Sequence, residues 1–383
     1  AETGAVPAPA ETGAVPAPAE TGAVPAPAET GAVPAPAETG AVPAPTLSLE
    51  LFPPRPGRHV TQTWGVLDRL LATGPDFVSV TYRPSFVIGG TGSGAAGTAP
   101  PVRVRREHNP AEDVVAHVLS RSDVPLMAHL TCIGYRRDSV VEVVRRFLDL
   151  GVRRFLALRG DPPRGYAAED VAGELPHADD LVRVIREVES DYFDDGARHI
   201  QIAVAAYPAD IDHGTGIEVL GAKQAAGADL AITQVFYDPE DYLALCRAAL
   251  YSGVTMPILP GIIPLTDLRR LTRLEALTGV GVPPDLVRTL ERSDGAAAAA
   301  AGIDATLNLA SAVLDGGAPG VHLYTFNRVR PALDVISHLR LGGILAGSTP
   351  DTAVQREVRR DYLNATPGGD RGPSGRMPGA ARS

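Results

Sequence analysis

The 383-residue sequence lacks several features that define large classes of protein. Two cysteines are too few for a disulfide-held scaffold, and such low use is typical of a reducing compartment. Basic residues are outnumbered, 35 against 45 acidic ones, so nothing favours a nucleic-acid partner. No apolar run reaches the roughly 18 residues of a membrane span, and the N-terminal segment lacks the pattern of a signal peptide. We therefore expect no membrane partner and a cytoplasmic location.

The first 45 residues are a tandem repeat. Five copies of Glu-Thr-Gly-Ala-Val-Pro-Ala-Pro-Ala begin at Glu2, Glu11, Glu20, Glu29 and Glu38, with Thr46 in place of the last alanine. Two prolines per copy remove helix and sheet hydrogen bonds, so residues 1–45 are predicted to form a semi-stiff, polyproline-like tail. A tail without a specific role is favoured over a spacer or partner-binding arm. Residues 346–383, rich in glycine and proline near their end, are predicted to form a second, mostly disordered tail.

Residues 46–345 alternate short β-rich runs with helix-length segments. Eight strands are predicted, at 47–52, 77–82, 125–131, 153–158, 200–205, 230–235, 256–260 and 320–325. Helices are predicted at 111–119, 139–150, 179–189, 218–226, 239–249, 265–277 and 330–339. In the helix 139–150, Val140, Val144 and Phe147 recur at helical spacing. Eight strands with crossover helices predict an α/β protein with one (β/α)8 TIM barrel.

A doubly wound open sheet is the alternative fold, and it would carry a glycine-rich phosphate turn after the first strand. Residues 53–57 are Pro-Pro-Arg-Pro-Gly, which is no such turn. The glycine-rich run 89–94 has no Walker lysine and no helix directly after it, so we expect a flexible loop insertion there. The alanine run 296–301 is predicted to be helix or a loop insertion.

Polar residues stand at the ends of the predicted strands, where a barrel of this kind carries its chemistry. They include Glu50, Thr81, His129, Arg159, Asp161, Tyr207, Gln234, Tyr324 and Arg328. Burying such groups is unfavourable unless they are paired or meet a ligand. Their convergence on one end of the barrel therefore predicts a functional site.

Glu50 has apolar neighbours on both sides in the first strand. A carboxyl group inside a barrel is expected to have a raised pKa and can then serve as a general acid near neutral pH. A buried glutamate paired with a base such as Arg159 is an equally weighted alternative.

Other strand-end residues have structural alternatives as well. Asp161 is a site candidate or the residue that fixes a tight turn. Gln234 suits the amide edge of a heterocycle, or is a polar plug in the barrel. His129 and Cys132 have no companions at metal-ligand spacing, so no metal site is predicted, and nothing indicates an activated thiol. Asp212 and His213 are placed in a loop and left ambiguous.

These motifs, in this order, resemble methylenetetrahydrofolate reductase. The matching segments are 49–55, 77–82, 128–132, 157–163, 205–208, 226–234, 257–262 and 321–328, and the resemblance spans roughly residues 46–341. The resemblance implies a barrel with FAD at its mouth, reduced by NADH or NADPH. The flavin then passes a hydride to 5,10-methylenetetrahydrofolate, giving 5-methyltetrahydrofolate for methionine synthesis.

The resemblance also implies residue roles. Glu50 matches the general acid, Asp161 lies by the flavin and the pterin, and Gln234 holds the folate head group. Tyr324 and Arg328 match the folate side of the mouth. The positions that match cofactor contacts are Thr81, His129, Arg159, Gly160, Asp161, Ala178, Tyr207 and Lys223.

Two segments on the cofactor side depart from the family pattern. After Tyr82 the family continues with Gly-x-Gly-Gly, whereas here a long insertion follows; after Pro208 the family's His-Pro loop is missing. Two alternatives to a flavin-dependent reductase therefore stay open: direct hydride transfer from NAD(P)H to the same folate, and a folate-binding barrel without turnover. The coenzyme choice and the oligomeric state, a homo-oligomer included, are also left open.

Overall fold

The computed structural model describes residues 45–54, 60–82, 85–88, 102–105, 109–163, 165–167, 170–171, 173–210, 213–292 and 295–345. Residues 1–44, the glycine-rich run 89–94 and residues 346–383 lie outside these ranges. The expectations about the two tails and the loop insertion therefore stay predictions.

Eight of the described strands, together with a short ninth, form one parallel barrel sheet in the order β10-β11-β1-β2-β5-β6-β7-β8-β9. Their bounds are β1 Thr46–Leu51, β2 Phe77–Val80, β5 Leu126–Thr131, β6 Arg154–Leu158, β7 Gln201–Ala206, β8 Leu230–Thr233, β9 Ile258–Leu259, β10 Gly261–Ile262 and β11 Gly320–Tyr324. A separate antiparallel hairpin consists of β3 Ser85–Ile88 and β4 Val102–Arg105. The eight predicted strands are all present, and the (β/α)8 prediction is confirmed.

Strands β9 and β10 together make the seventh strand of the barrel. β9 pairs with β8 and β10 pairs with β11, so the ring closes across the interruption. Pro260 stands between them and has no N–H to donate to a neighbouring strand. Its carbonyl still accepts a hydrogen bond of 2.9 Å from the backbone N–H of His322.

Ten helices are described, and most of them separate consecutive barrel strands. Their bounds are α1 Val60–Leu71, α2 Pro110–Arg121, α3 Arg137–Asp149, α4 Ala178–Phe193, α5 His213–Ala225, α6 Pro239–Tyr251, α7 Leu268–Thr278, α8 Pro284–Arg292, α9 Gly295–Asp315 and α10 Val329–Leu341. In α2 and α6 a side-chain cap and a proline at the first helical position define the start. Each such cap stabilises its helix by about 1 kcal/mol.

Helix α3 shows how the pattern in the sequence becomes packing. Val140, Val144, Phe147 and Leu148 are buried against the sheet, as their spacing predicts. Full burial of each large apolar side chain stabilises the fold by about 1.5–3 kcal/mol.

The barrel interior has an apolar part and a polar part. The apolar side chains form one cluster, consisting of Phe77, Met127, Leu156, Ala203, Leu230, Ile232 and Leu259. Buried polar side chains stand on β1, β2, β5 and β11, namely Ser48, Glu50, Ser79, His129 and His322. A separate and larger apolar core lies between the strands and the surrounding helices.

Two elements differ from the sequence-based expectation. The hairpin β3–β4 is not evident from the sequence. His213 is the first residue of α5 and not part of a loop. The sequence indicated a loop because Gly214 and Gly216 lower the helix propensity of the first turns. Asp212 lies outside the described residues. The alanine run 296–301, predicted to be helix or a loop insertion, is helical and lies within α9.

Helix α9 is also long and apolar enough, by length and composition alone, to cross a membrane. Asp304 and Asn308 interrupt the apolar residues of this helix, so its sequence is not an unbroken apolar run. Ile303, Leu309 and Val313 are buried, so one face of this helix belongs to the core.

Candidate active site

Glu50 lies inside the barrel near the carboxyl end of β1. Successive residues of a strand point to opposite faces, so Leu49 and Leu51 pack outwards while Ser48 and Glu50 point inwards. Glu50 is 6 % exposed, and its Oε1 accepts a hydrogen bond of 2.6 Å from the hydroxyl of Thr81. The Nδ1 atom of His129 lies 3.9 Å from the same oxygen, beyond hydrogen-bond length.

His129 supplies a neutral ring beside this carboxyl group. Complete burial lowers the pKa of His129 to about 3, so the imidazole is uncharged at neutral pH. Its buried Nε2 has no hydrogen-bond partner in the described part of the chain, and neither has the hydroxyl of Thr131, two residues further along β5. Buried polar atoms are nearly always hydrogen-bonded, so two such atoms at one strand end indicate a place for a polar ligand.

Tyr324 stands opposite Glu50 in the register of β1 and β11. Its hydroxyl donates a 2.6 Å hydrogen bond to the carbonyl of Thr233. Burial raises the pKa of Tyr324 strongly, and the nearby carboxyl of Glu50 adds to the effect, so the phenol stays protonated. Gly261 makes this arrangement possible, because a Cβ there would lie 2.2 Å from the Thr233 carbonyl and 2.6 Å from the Tyr324 ring.

The turn after β11 is tied to the end of β1. Thr325 donates from its hydroxyl to the carbonyl of Glu50 at 2.6 Å. Asn327 accepts from the backbone N–H of Phe52 at 2.9 Å and donates to its carbonyl at 2.7 Å. Phe326 stacks on Phe52 with a centroid distance of 5.1 Å. These contacts hold the backbone that carries Glu50.

Arg328 follows this turn at the rim of the barrel. Its guanidinium pairs with Asp267 at 2.5 Å and remains half exposed. The Arg328 side chain is therefore accessible at the mouth of the barrel. Among the described residues, no contact connects it to Glu50.

The turn after β6 brings Arg159 and Asp161 to the mouth. Both residues are exposed, and neither side chain makes a hydrogen bond or ion pair within the described residues. Within the described part of the chain, Arg159 is thus not the partner of Glu50, and Asp161 accepts no hydrogen bond that would fix the turn. Gly160 between them has φ of +87°, and a Cβ there would lie 2.8 Å from a methyl group of Ile133.

Tyr207 and Lys223 line a cavity of about 350 Å³ beside the end of β7. The Lys223 amine donates to the carbonyl of Ala205 at 2.8 Å and lies 5.7 Å from the centre of the Tyr207 ring. Burial lowers the pKa of Lys223 to about 8, with the charge of Asp179 opposing the shift. Partial burial raises the pKa of Tyr207, and the negative charge of Asp161 adds to this increase.

Two further predicted residues complete the rim. Ala178 is the first residue of α4, and its side chain is buried. Gln234 follows β8, and its Oε1 accepts from the backbone N–H of Val235 at 2.8 Å. Its side-chain NH2 group makes no hydrogen bond to any described residue, which leaves a donor for a ligand. Cys132 is buried, and burial raises the pKa of its thiol to about 12, so it is no nucleophile at neutral pH.

Several residues that shape this site are not among the sequence candidates. Thr325 and Asn327 hold the end of β1, and Ser48 and His322 lie below Glu50. One available signal is the alternation Leu-Ser-Leu-Glu-Leu in β1, which predicts two polar side chains on the inward face. A second available signal is Lys223. It is the single lysine of the chain, whereas every other residue of fixed positive charge is an arginine.

Together, these features define a (β/α)8 barrel of the enzyme type, with a buried carboxyl group at the base of an open, polar mouth. The model of the methylenetetrahydrofolate reductase family matches residues 39–340. The chain belongs to this family.

Its relatives include long eukaryotic and short bacterial proteins. It is 28 % identical over 361 residues to a probable methylenetetrahydrofolate reductase (NADH) of Oryza sativa, covering 86 % of this chain and 56 % of that protein. It is 30 % identical over 300 residues to a probable NADPH form from Caenorhabditis elegans, covering 77 % and 42 %. It is 30 % identical over 288 residues to the 5,10-methylenetetrahydrofolate reductase of Salmonella typhimurium, covering 74 % and 86 %. The chain thus spans about half the length of the plant and nematode relatives and most of the bacterial one.

A solved structure supports the fold alone. An uncharacterized protein from Clostridium thermocellum that binds two copies of 5-methyl-5,6,7,8-tetrahydrofolic acid matches with a TM-score of 0.50 and 12 % sequence identity. The match covers 77 % of this chain and 93 % of that protein.

Proposed function

We propose that this protein reduces 5,10-methylenetetrahydrofolate to 5-methyltetrahydrofolate with NAD(P)H, in a reducing, cytoplasmic compartment, for methionine synthesis. The observation that carries the proposal is the buried carboxyl of Glu50 at the base of the mouth, in a chain that belongs to the reductase family. A protein that only binds folate has no need for a buried acid, whose desolvation is unfavourable.

In this proposal Glu50 is the general acid. Opening of the five-membered ring of the substrate leaves a nitrogen that must gain a proton and a carbon that accepts the hydride. A carboxyl group inside the barrel, oriented by Thr81, can deliver that proton at a fixed atom. Tyr324 and the end of β1 exclude water from one side of this carboxyl group.

Gln234 and Asp161 are the proposed contacts of the pterin. The NH2 group of Gln234 is available as a donor beside its bonded carbonyl oxygen. The carboxylate of Asp161 can accept from N–H groups on the ring, since it makes no hydrogen bond within the described residues. Arg328, half exposed on the opposite rim, is the proposed contact for the carboxylate end of the folate.

The residues present fit FAD, the cofactor that the family implies. The buried Nε2 of His129 and hydroxyl of Thr131 lack hydrogen-bond partners among the described residues. Among the described residues, no carboxylate lies within ion-pair distance of the cations Arg159 and Lys223. Both positive charges are therefore available to a diphosphate. We propose that these residues, with Thr81, Gly160, Ala178 and Tyr207, hold the flavin. When bound, it would supply the relay of the hydride from NAD(P)H to the folate.

One observation favours a second candidate, direct hydride transfer from NAD(P)H without a flavin. The cavity beside Lys223 is otherwise lined largely by apolar or small residues, including Gly216, Val219, Leu220 and Leu245. Such a wall offers few hydrogen bonds to a cofactor that must stay bound from one turnover to the next, as FAD must. NAD(P)H leaves after each turnover and needs no such tight site.

The visible spectrum of the purified protein, combined with a steady-state assay, tests both candidates. Flavin absorbance together with folate-dependent NAD(P)H oxidation is the expected result. A colourless protein that oxidises NAD(P)H only when methylenetetrahydrofolate is present would favour direct transfer. Binding of folate without any oxidation of either coenzyme would overturn both. Running the assay with NADH and with NADPH determines the coenzyme, for which the names of the relatives differ.

A further inference from the structure

A second polar layer lies inside the barrel, directly below Glu50. His322 is fully buried on β11, with its Nδ1 atom 2.8 Å from the hydroxyl of Ser48 on β1. Its Nε2 atom lies 3.4 Å from the hydroxyl of Ser79 on β2. Both ring nitrogens therefore have a hydroxyl partner, one on the adjacent strand β1 and the other on β2, the next strand along the sheet.

This layer joins the same three strands that carry the upper part of the site. Glu50 stands two residues after Ser48, Thr81 two residues after Ser79, and Tyr324 two residues after His322. Residues two apart on a strand point to the same face, so each lower-layer residue has an upper-layer residue above it. The register between β1 and β11 pairs Ser48 with His322 and Glu50 with Tyr324, and the register between β1 and β2 pairs Ser79 with Glu50 itself.

Filling the barrel does not require polar groups at this level. The other side of the interior is packed with apolar side chains, among them Met127, Leu156 and Leu259. A buried histidine with two serines is less favourable than apolar packing unless its hydrogen bonds are all made. The ring also stays uncharged, because burial and the neighbouring His129 lower the pKa of His322 to about 3. A neutral ring can donate through one nitrogen and accept through the other.

The ring of His322 also supports the upper layer by direct contact. It lies edge-on to the Tyr324 ring with a centroid distance of 5.2 Å, and it stacks on Phe77 at 6.1 Å. A shift of His322 would therefore move Tyr324 and allow β1 and β2 to separate, which changes the 2.6 Å contact between Thr81 and Glu50.

We propose that His322, held by Ser48 and Ser79, is a positioning residue for the acid Glu50. It does not touch the substrate. It fixes the spacing of β1, β2 and β11, and so fixes the carboxyl group and the Thr81 hydroxyl in the arrangement used for proton delivery. This inference rests on the proposed reduction of methylenetetrahydrofolate. Misplacing a catalytic group by about 1 Å can slow a reaction by roughly 10²-fold, so a residue in this role affects kcat more than KM.

The test compares variants of the layer with a variant of the apolar side. Ser48→Ala and Ser79→Ala each remove one hydroxyl partner, His322→Leu removes both hydrogen bonds, and His322→Gln keeps an amide that can replace one of them. Leu156→Ala is the matched control, because it opens a cavity in the same interior without touching the polar layer. For each protein, the thermal midpoint, the Kd for 5-methyltetrahydrofolate and the pH profile of folate reduction are measured.

Among the described residues, the groups that face Glu50 include Thr81 just after β2, His129 on β5 and Tyr324 on β11, with His322 below them. A carboxyl group that loses the Thr81 donor keeps its proton to higher pH. The expected result for His322→Leu is a kcat lowered by about tenfold to 10²-fold. Its Kd should change little, and the alkaline limb of its pH profile should move to higher pH. Ser48→Ala and Ser79→Ala should show the same shift to a smaller extent, and His322→Gln should restore part of the rate.

Unchanged kcat and pH profile in the Ser48→Ala and Ser79→Ala proteins would overturn the inference. So would a loss of rate that only follows the thermal midpoint, as in Leu156→Ala. If the unmodified protein itself forms no 5-methyltetrahydrofolate, the proposed function fails instead, so the two failures are distinguishable.

Discussion

At the end of β6, the backbone of Gly160 has a positive φ of +87° and packs closely on Thr131 and Ile133. An added Cβ would lie 2.8 Å from Ile133 and 2.9 Å from Thr131. Glycine is needed at this position for two reasons, because both the conformation and the space exclude a side chain. The turn that brings Arg159 and Asp161 to the mouth depends on it.

Gly160→Ala should therefore lower the free energy of unfolding by about 1–3 kcal/mol, since it adds crowding to backbone strain. Gly151→Ala is the matched control, because Gly151 has a similar φ of +94° with nothing within 4 Å. Urea unfolding of both variants gives the comparison. Equal losses in the two proteins would show that crowding at Gly160 does not matter.

The pKa of Lys223 can be measured directly, and it shows how burial affects a positive charge in the site. It is the single lysine of the chain, so a sample labelled at the lysine ε-carbon gives one NMR signal for this residue type. Burial lowers the pKa of Lys223 to about 8, so its signal should titrate near that value. The amine is charged below this pH and loses its charge above it, so the affinity for an anionic dinucleotide should fall as the pH rises through about 8. A midpoint close to the ordinary value of about 10.4 would contradict the described burial.

A buried network of ion pairs and hydrogen bonds connects helix α4 to the residues just before β7 and β8. Arg186 donates to Glu189 at 2.6 Å and to Asp229 at 2.5 Å. Glu189 is also bonded by the backbone N–H groups of His199 and Ile200, at 2.6 and 2.5 Å. Burial acts to raise the pKa of Glu189, but the hydrogen bonds from Arg186 and these backbone groups outweigh it and hold the pKa below its ordinary range.

Because the folded-state pKa is lowered, this carboxylate stabilises the protein above its unfolded-state pKa of about 4.3, and the effect is lost as the pH falls through the folded-state value. Glu189→Gln should cost about 1–3 kcal/mol near neutral pH and less in acid. Urea unfolding at several pH values measures this difference. Glu187→Gln, on the exposed part of the same helix, is the control and should cost below about 1 kcal/mol. A loss of unfolding free energy in Glu189→Gln that is the same at every pH would contradict the lowered pKa of Glu189.

At this scale, regular elements are well predicted from the sequence, while contacts between distant segments are not. The apolar spacing in α3 and the strand-end position of Glu50 follow from local pattern. The contact between Asn327 and Phe52 joins residues 275 positions apart, and no local pattern encodes it. The same holds for Ser48 and His322, which become neighbours only when β1 and β11 close the barrel. The early start of α5 is missed because tertiary packing overrides the low helix propensity of two glycines.

In the part of the molecule that the structure describes, one barrel carries all the proposed site residues. All the proposed site residues lie between Glu50 and Arg328, on the barrel strands, their following turns and two helix positions. The tandem repeat contributes none of them, and its prolines and small residues offer little for packing.

Removal of residues 1–44 should therefore leave the thermal midpoint and the kcat/KM for folate reduction unchanged. Differential scanning calorimetry and a steady-state assay on the full chain and the shortened chain test this. A tenfold loss of kcat/KM in the shortened chain, with the thermal midpoint unchanged, would instead assign the repeat a direct role in the reaction.

The central claim is that a buried carboxyl group at the base of a barrel mouth delivers a proton while the folate receives a hydride. Formation of 5-methyltetrahydrofolate from 5,10-methylenetetrahydrofolate and NAD(P)H, followed by mass spectrometry, tests it most directly with the unmodified protein and Glu50→Gln. Glu240→Gln, at an exposed position, is the matched control. Product is expected with the unmodified and control proteins. The rate in Glu50→Gln is expected to be lower by about 10²-fold or more, with the fold and the binding of 5-methyltetrahydrofolate kept. Normal turnover in Glu50→Gln, or an unmodified protein that binds the folate and forms no product, would contradict it.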